Sequence, residues 1–405
     1  MKSKQCVSEL AICGGDRLFE RPRSTSNLLR PEFQRFLDYS KAFFERHQYT
    51  NNGPNVRLLE ERLAEFHGTA HCITFSSGFW ALAVAITVLA LEGKTEIVMP
   101  SLTYRRMNDI AAWVKLKPHF CEVDPATLAM SSATVDPCIN QNTAVILGVH
   151  PIVNCCDVQG LVTLARRKNI PLLFDSVESA YESTPSGRVG GFGDAEGFSL
   201  HACKLINGFG GGYITTNDSS LAKQLALRRG FGFEDNDNII TARGLNAKLN
   251  EVHAAMALAS LYTVEEQVQH NRMRYEVYRQ LLGSIPGIRL LEFDADIRSG
   301  YKNIVVELLD EWPLSRSGTL AVLNEENILA RAYYPQPLHR KPMRYPYVSA
   351  ELPLTDSLAE RFMNLPCGHL VSVEDIAHIV DMLSFIRNNA DSIAVRLHAF
   401  TSGAQ

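Results

Sequence analysis

Lys204 and Asp175 are the two residues whose types and settings point most directly to chemistry. Lys204 follows the apolar segment 198–203 and precedes a glycine-rich segment, 208–212. Asp175 lies 29 residues upstream, directly after the apolar run 171–174. A desolvated lysine has a lowered pKa and can form a Schiff base with a carbonyl, while a buried carboxylate can keep a ring nitrogen protonated. Pyridoxal 5'-phosphate needs both groups, so the pair predicts this cofactor.

Each of these two residues also has an ordinary structural interpretation. The sequence from Asp175 to Glu178 fits a helix capping box, and without Lys204 the two interpretations of Asp175 have equal weight. Lys204 alone would be read as a surface lysine. Its apolar and glycine-rich flanks do not resemble an exposed face, however, and they favour a buried lysine.

Four further residues could bind the phosphate and the ring of this cofactor. Ser77 and Gly78 follow a predicted strand and open a predicted helix, where backbone N–H groups attract a phosphate. Ser199, five residues before Lys204, offers another hydroxyl. Tyr104 follows the predicted strand 96–99 and can cover the face of a ring. Taken singly, Ser77 is more often an ordinary helix cap, and a lone loop tyrosine more often only packs.

Composition narrows the class of protein. The chain has 405 residues, 46% hydrophobic and 21% charged, with a net charge of -4. The mild negative charge gives no reason to predict a nucleic-acid or membrane partner. The first 23 residues hold no apolar run of signal-peptide length, and the longest apolar stretch, 81–91, is shorter than the ~20 residues that span a bilayer. We therefore expect a cytoplasmic protein.

The nine cysteines form no Cys-x-x-Cys pair, and most lie in apolar segments. They are interpreted as small core residues, and no metal site is predicted. Cys155-Cys156 is the one pair for which reactivity is kept as a less favoured alternative.

Short β-rich runs alternate with helical periods through the first two thirds of the chain, which predicts an α/β fold with a mainly parallel sheet covered on both faces. The last two of these runs have no helix between them and could include an antiparallel partner. The predicted strands are 71–75, 96–99, 117–123, 144–149, 171–174, 196–200 and 212–215. The predicted helices around them are 32–47, 55–67, 80–91, 157–168 and 219–229.

Beyond residue 250 the pattern changes. A long helical region is predicted over 251–282, followed by a strand at 303–308, a helix at 317–326 and a final helix at 373–388. We predict three parts: an N-terminal extension (1–30), a large cofactor-binding domain (31–265) and a smaller α+β domain (266–405).

Several short stretches, in this order and spacing, resemble the DegT/DnrJ/EryC1/StrS family of pyridoxal-phosphate aminotransferases. The resemblance runs from about residue 51 to the end of the chain. The stretches that carry it are 50–54, 77–78, 100–104, 174–175, 193–195, 198–204, 216–218 and 244–255. It implies the aspartate aminotransferase-type fold (fold type I), with a seven-stranded sheet and a smaller C-terminal domain.

The resemblance also implies roles for single residues. Lys204 would hold the cofactor as a Schiff base and move a proton during the reaction, and Asp175 would pair with the pyridinium nitrogen. Tyr104 would cover the ring. The implied phosphate ligands are Ser77, Gly78 and Ser199.

Three positions extend the implied site. Glu178 stands where the family often has Gln or His, near the phenolic oxygen of the cofactor. Asn246 matches the residue that reaches the phosphate of a neighbouring subunit, and Lys248 the basic residue two places later. A homodimer with shared active sites follows from this resemblance.

A tyrosine-, histidine- and arginine-bearing segment near the C-terminus resembles the substrate loop of the family. Arg331, Tyr334 and His339 are the substrate-binding residues it implies, although a proline-rich surface turn is the plain interpretation. Such side chains suit a polar, anionic ligand.

By this resemblance the chain is expected to transfer an amino group from glutamate or glutamine to a ketosugar, usually nucleotide-linked, in aminosugar or antibiotic-like biosynthesis. Another pyridoxal-phosphate reaction (dehydration, decarboxylation or racemisation), a non-sugar ketone, or a non-catalytic regulatory protein on the same scaffold are the alternatives. The chain departs from the family at Phe79, where the family has Thr, at Gly210, where Glu is common, and at Arg105-Arg106, where small apolar residues are usual. These departures point to an altered substrate.

Overall fold

The computed structural model describes residues 4–25, 31–234, 238–239, 241 and 243–402. Within these ranges the strands are β1 Arg23–Ser24, β2 His71–Phe75, β3 Glu96–Pro100, β4 Lys117–Cys121, β5 Thr143–Val149, β6 Leu172–Asp175, β7 Ser183–Thr184, β8 Gly187–Arg188, β9 Ala195–Ser199, β10 Gly212–Thr216, β11 Phe233–Glu234, β12 Asn238–Ile239, β13 Ile288–Leu290, β14 Ile304–Leu308, β15 Ile328–Leu329, β16 Arg331–Ala332 and β17 Phe362–Leu365.

The helices alternate with the strands in the first part of the chain and dominate the second. They are α1 Phe33–Glu45, α2 Pro54–His67, α3 Gly78–Leu89, α4 Met107–Trp113, α5 Ser132–Val135, α6 Val158–Lys168, α7 Ser219–Arg229, α8 Glu251–Tyr262, α9 Val264–Leu282, α10 Arg316–Glu325, α11 Pro353–Ala359, α12 Val373–Asn388 and α13 Ala390–Ser402.

A seven-stranded sheet forms the centre of the molecule, in the order β2-β10-β9-β6-β5-β3-β4. Strand β10 runs antiparallel to both of its neighbours, β9 and β2, whereas the other neighbouring strands are parallel. This confirms the predicted mainly parallel seven-stranded sheet of an α/β fold. The antiparallel pair that the missing helix suggested is β9 with β10.

Alternate residues of the strands pack against different helices, as the two-residue period of a strand requires. Ile97 and Met99 of β3 face the apolar helix α3, and Val98 between them faces the α6 side. Every residue of β5 is buried. Because β3, β5, β6 and β9 are parallel, their carboxyl ends lie at one edge of the sheet, where ligands collect in open α/β sheets.

The predicted helical region 251–282 is two helices, α8 and α9, separated at Thr263. Beyond them lies a second sheet, antiparallel throughout, in the order β13-β14-β17-β16. Helices α9, α10 and α12 contact one another or this sheet. A domain division near residue 265 remains a proposal.

The prediction that 373–388 is the final helix is wrong, because α13 follows it directly. Helix α12 has the predicted bounds and begins with a capping box at Ser372. Ile393 of α13 is fully buried against the core. The two helices are separated by Asn389 alone, so the sequence shows little punctuation between them.

The described part of the predicted N-terminal extension packs on the C-terminal region. Strand β1 pairs in parallel with β15. Leu10 and Phe19 are buried in the same apolar cluster as the second sheet. Both carboxylate oxygens of the buried Glu326 accept a backbone N–H of this segment, from Ala11 and from Leu18, each at 2.7 Å. Residues 4–25 are therefore integrated into the fold.

No helix in the described ranges is long and apolar enough to cross a membrane. A cluster of three or more His, Cys, Asp or Glu side chains suited to a metal ion is also not found in that part of the chain.

Candidate active site

Lys204 lies in the loop that follows β9, at the carboxyl edge of the central sheet. The backbone of this loop is fixed by a turn, in which the Lys204 N–H donates to the His201 carbonyl at 2.9 Å, and by the Gly208 N–H on the Leu200 carbonyl at 2.9 Å. The lysine side chain is 13% exposed. The sequence-based prediction of a buried lysine at the end of a strand is thus matched by its position.

The Lys204 amine donates a hydrogen bond to Oε1 of Glu178. Oε2 of the same carboxylate accepts from Lys302 Nζ at 2.6 Å. Burial alone would raise the pKa of Glu178, but the positive charges of the two lysines outweigh burial and lower that pKa to about 2. Glu178 is therefore ionised between two cations at neutral pH.

The expectation that burial lowers the pKa of Lys204 is wrong for this arrangement. Burial acts in that direction, but the charge of Glu178 outweighs it, with smaller contributions from Cys203 and Asp175, and the pKa of Lys204 is raised. The amine is a cation until the carboxylate is engaged elsewhere or the amine reacts.

Asp175 ends β6 and is 2% exposed. Its Oδ1 accepts from the Val177 N–H at 3.2 Å, a local turn bond, whereas the predicted capping box would need bonds between Asp175 and Glu178. The Val177 segment does not continue as a helix, however. Burial raises the pKa of Asp175 to about 6, against the opposing effects of the Val177 hydrogen bond and the charge of Lys204. A buried carboxyl beside a reactive lysine favours the functional interpretation.

The predicted phosphate residues come together at the amino end of α3. Ser77 caps this helix by accepting from the Trp80 N–H at 3.2 Å. A Cβ on Gly78 would lie 3.1 Å from the Cβ of Ser199 and 3.3 Å from the Phe198 carbonyl oxygen, so the helix end approaches β9 closely and a larger residue would crowd it. The helix terminus and the Ser199 hydroxyl form one polar corner next to the Lys204 loop.

Tyr104 lies in the loop after β3, and its side chain is 50% exposed. Its carbonyl accepts the Met107 N–H that begins α4. Stacking of its ring on a cofactor remains a prediction.

The predicted substrate loop folds back against the same edge of the sheet. The Leu338 N–H donates to the Ser101 carbonyl at 2.9 Å. The Tyr333 hydroxyl accepts from the Ile152 N–H at 3.0 Å. The pKa of Tyr334 is raised by burial, by Tyr333 and by the carboxylates of Glu178 and Asp175, so its hydroxyl stays protonated beside the site.

His339 lies in the loop that packs against Ser101. Its Nδ1 lies 2.7 Å from the Ser101 hydroxyl and its Nε2 lies 3.2 Å from Asp356. The side chain is only 3% exposed, and its contact with Ser101 helps to fix the loop. Direct contact of His339 with a substrate remains a prediction.

The other three predicted residues lie apart from this group. Asn246 is exposed and bridges Gly230 through its backbone, Lys248 Nζ lies 4.6 Å from the ring centre of Phe231, and Arg331 is exposed on β16. In the described part of the chain, none of them is hydrogen-bonded to Lys204, Glu178 or Asp175. Their roles remain predictions.

Sequence reasoning missed Lys302 and did not assign a place to His150. Lys302 is 8% exposed and directly precedes the strand run that the sequence predicted, so a lysine beside an apolar strand was the available signal. His150 follows β5 and stacks on Phe174 with ring centres 5.3 Å apart. Its Nδ1 lies 3.5 Å from the Cys156 sulfur, which is buried and packed in the core.

A family model describing the DegT/DnrJ/EryC1/StrS aminotransferases matches residues 32–384. The chain belongs to this family. It is accordingly a pyridoxal-phosphate-dependent aminotransferase, as the resemblance implied.

Individual relatives agree with this assignment. The chain is 29% identical over 315 residues to dTDP-4-amino-4,6-dideoxy-D-glucose transaminase from Shigella dysenteriae, covering 78% of this chain and 85% of the relative. It is 26% identical to GDP-perosamine synthase from Caulobacter vibrioides, over 85% and 94% of the two chains. The crystal structure of DesI in the presence of its TDP-sugar product superposes with a TM-score of 0.90 at 29% identity, covering 97% of this chain and all of that one.

The residues present fit the cofactor of the family. Lys204 supplies the amine, Asp175 a buried carboxyl, and the amino end of α3 the backbone donors for a phosphate. The absence of a Cβ at Gly78 leaves that helix end close to Ser199, so the three parts stand along one edge of the sheet.

Proposed function

We propose that this enzyme transfers an amino group from glutamate or glutamine to a ketosugar carried on a nucleotide diphosphate. The observation that carries the proposal is the placement of Lys204, Glu178 and Asp175 beside the protonated Tyr334 hydroxyl at one edge of the sheet. The sugar follows from the relatives, whose names specify a dTDP-amino sugar and GDP-perosamine, and from the TDP-sugar product of DesI.

When bound, pyridoxal phosphate supplies a carbonyl that exchanges amino groups and a ring that withdraws electrons from the adjacent carbon. We assign Lys204 as the residue that holds it and that then moves a proton at Nζ. Asp175 would face the ring nitrogen. With a pKa raised to about 6 by burial, Asp175 is mostly ionised at neutral pH. It can therefore stabilise a proton on that nitrogen.

Glu178 holds the Lys204 amine before and between the proton transfers. A carboxylate that accepts a hydrogen bond from an ammonium group stabilises the charged form, so Glu178 keeps the resting amine protonated and oriented. Lys204 can react at Nζ only after this proton leaves. Because the charge of Glu178 favours the protonated amine, Glu178 opposes that loss.

The polar corner formed by Ser77, Gly78 and Ser199 would hold the phosphate. A helix amino end presents unpaired N–H groups and a partial positive charge, and both favour a dianion. Phe79 in place of a hydroxyl residue leaves this corner with one side-chain donor fewer than the family has.

The loop that carries Tyr333 and Tyr334 would cover the substrate side. The Leu338 N–H attaches this loop to the Ser101 carbonyl, and the Tyr333 hydroxyl attaches it to the Ile152 N–H. Because the Tyr334 hydroxyl stays protonated, it can donate a hydrogen bond to an oxygen of the acceptor.

We also propose a cytoplasmic homodimer with shared active sites, in which Asn246 and Lys248 serve the partner subunit. Large apolar side chains stand exposed along α1 and in the loops near these residues, and they suit a buried subunit interface. They include Phe33, Phe44, Phe209, Phe231 and Tyr262, which are 43–70% exposed. An aminosugar pathway, including antibiotic biosynthesis, would use such an enzyme.

A different pyridoxal-phosphate reaction, such as decarboxylation or racemisation, is the second candidate because the same lysine and carboxylate serve it. The two differ in the fate of the amino group. Transamination leaves the cofactor as an amine and releases a keto acid from the donor, whereas the alternative returns the cofactor unchanged.

The test is an absorbance spectrum of the purified holoenzyme before and after glutamate. We expect the band of the lysine-linked cofactor to decline and 2-oxoglutarate to appear in equal amount. Lys204→Ala should abolish turnover, while Lys168→Ala, at a surface lysine paired with Asp136, should behave as wild type. Full turnover by Lys204→Ala would refute the assignment.

The acceptor is tested in the reverse direction. The amino sugar named for the Shigella relative, dTDP-4-amino-4,6-dideoxy-D-glucose, should convert the lysine-linked form to the amine form. The same sugar without its nucleotide should react poorly. Equal rates with both would show that the nucleotide is not recognised, and no reaction with either would favour the non-sugar ketone.

A further inference from the structure

The carboxylate of Glu178 is shared by two lysines from distant parts of the chain. Lys204 donates to Oε1, and Lys302 donates to Oε2 at 2.6 Å. The side chain of Lys302 is 9% exposed and that of Glu178 is 22% exposed, so the lysine end of this ion pair is buried and the carboxylate is mostly buried. A buried lysine needs such a partner, because an unpaired buried charge costs several kcal/mol.

The backbone around Lys302 is tied to the same loop that carries Glu178. The Gly300 N–H donates to Glu182 Oε1 at 2.9 Å, and the Gly300 carbonyl accepts from Asn271 Nδ2 at 3.2 Å. The Ser183 N–H donates to the Arg298 carbonyl at 3.0 Å. Lys302 therefore reaches Glu178 from a segment just before β14 whose backbone is fixed by these hydrogen bonds.

Position 178 also differs from the usual chemistry of the family. The resemblance places Gln or His there, near the phenolic oxygen of the cofactor, whereas this chain has a carboxylate. The replacement adds one negative charge close to an oxygen that is itself negative. Lys302 adds one positive charge at 2.6 Å from the carboxylate, so the pair restores the local charge balance.

We propose that Lys302 is a positioning residue that acts through Glu178, fixing its carboxylate and setting how strongly the nitrogen of Lys204 holds a proton. This inference rests on the proposed function, because it takes Lys204 as the residue that binds the cofactor. It adds a small-domain residue to the site that the resemblance did not imply.

The direction of each effect follows from charge. The charged or titratable groups acting on Lys204 are Glu178, Cys203 and Asp175, and those acting on Glu178 are Lys204 and Lys302. Removing the negative charge of Glu178 makes protonation of the Lys204 nitrogen less favourable. Removing Lys302 leaves Glu178 with one cation instead of two, so protonation of that nitrogen becomes more favourable.

The test uses the full-length holoenzyme and the absorbance of its lysine-linked cofactor as a function of pH. The midpoint of this titration reports protonation of the linkage nitrogen and needs no turnover. We expect Glu178→Gln to lower the midpoint and Lys302→Met to raise it, each by about one pH unit, or about tenfold in the ratio of protonated to unprotonated forms. Lys302→Arg keeps the charge and should stay close to wild type.

Action through Glu178 is tested by the double variant. In the Glu178→Gln background, Lys302→Met should shift the midpoint by about a third or less of its effect in wild type, because the carboxylate it positions is gone. Equal shifts in the two backgrounds would show that Lys302 acts independently of Glu178, and an unchanged midpoint in Lys302→Met would show that it does not act at all. Either result overturns the proposal.

Lys168→Met, which removes a remote surface lysine from its pair with Asp136, controls for the substitution. Melting of each holoenzyme shows whether it is folded. If Lys302→Met fails to fold, the comparison of Lys302→Arg with Lys302→Gln replaces it, with the same expected direction for the glutamine variant. A wild-type protein that forms no lysine-linked band would overturn both this proposal and the proposed function, whereas a normal band with an unmoved midpoint overturns this one alone.

Discussion

Glu182 gives a prediction whose size can be worked out from the structure. Its side chain is 6% exposed and accepts the Gly300 N–H at 2.9 Å, where the loop after β6 meets the segment before β14. Burial raises the pKa of Glu182 from 4.5 to about 7, against a smaller opposing effect of the Gly300 hydrogen bond. The folded protein therefore binds a proton that the unfolded chain releases at lower pH.

The direction in which stability changes with pH follows from the two pKa values of Glu182. Because the pKa in the folded state lies above that in the unfolded state, the stabilising contribution is complete below about pH 4.5 and is lost as the pH rises through about 7. At about 1.4 kcal/mol per pKa unit, the loss between pH 5 and pH 8 is about 2.5 kcal/mol. Glu182→Gln removes this titration, so the stability of wild type should fall relative to the variant over the same range.

The assay is the melting temperature of wild type and of Glu182→Gln at several pH values. A chain of this length changes its melting temperature by about 1 °C per kcal/mol, so the difference between the two proteins should change by about 3 °C from pH 5 to pH 8. Glu92→Gln, at an exposed glutamate, controls for the substitution itself. A difference that stays constant with pH, or that changes in the opposite direction, would refute the reasoning.

Two more predictions concern assembly and the N-terminal segment. Glu326→Ala removes the acceptor of the Ala11 and Leu18 N–H groups and the ion-pair partner of Lys4, which lies 3.2 Å away. This substitution should destabilise the protein by about 3–5 kcal/mol and expose residues 4–25 to proteolysis. An unchanged melting temperature and cleavage pattern would contradict this. Sedimentation of the holoenzyme should give twice the 45.1 kDa chain mass, and a monomer that is fully active would contradict the shared active site.

Much of the fold was predictable because its signals are local. All seven strands of the central sheet were predicted, since each is a short apolar run between turn or helix signals. Helices α7 and α12 have the predicted bounds, and both are capped by a side chain that precedes them. The strands of the second sheet were mostly missed, because β13, β16 and β17 have only two to four residues each.

Some residues of the candidate site also have a local sequence signal, and others do not. Lys204, Asp175, Ser77 and Gly78 could be proposed because each lies at or shortly after the end of an apolar strand. Lys302 could not, because its role depends on a contact with Glu178 across 124 positions of the chain. No local pattern reports a contact of that span.

The raised pKa of Lys204 has the same origin. Sequence context shows that the lysine is buried, and burial alone lowers the pKa of an amine. The opposite direction results from Glu178, whose own charge is held by Lys302. A prediction from burial alone therefore fails for Lys204, because the charge of Glu178 within hydrogen-bonding distance outweighs desolvation there.

The residues of the candidate site come from two parts of the chain. Lys204 and Asp175 stand at the ends of central strands, where packing on both faces of the sheet fixes the backbone. Lys302 and Tyr334 lie beyond residue 265. Lys302 donates a hydrogen bond to Glu178, and the charge of Glu178 helps to raise the pKa of Tyr334. Substitutions in these later segments can therefore change the charge and hydrogen bonding beside the reacting nitrogen without altering the strands that hold the lysine.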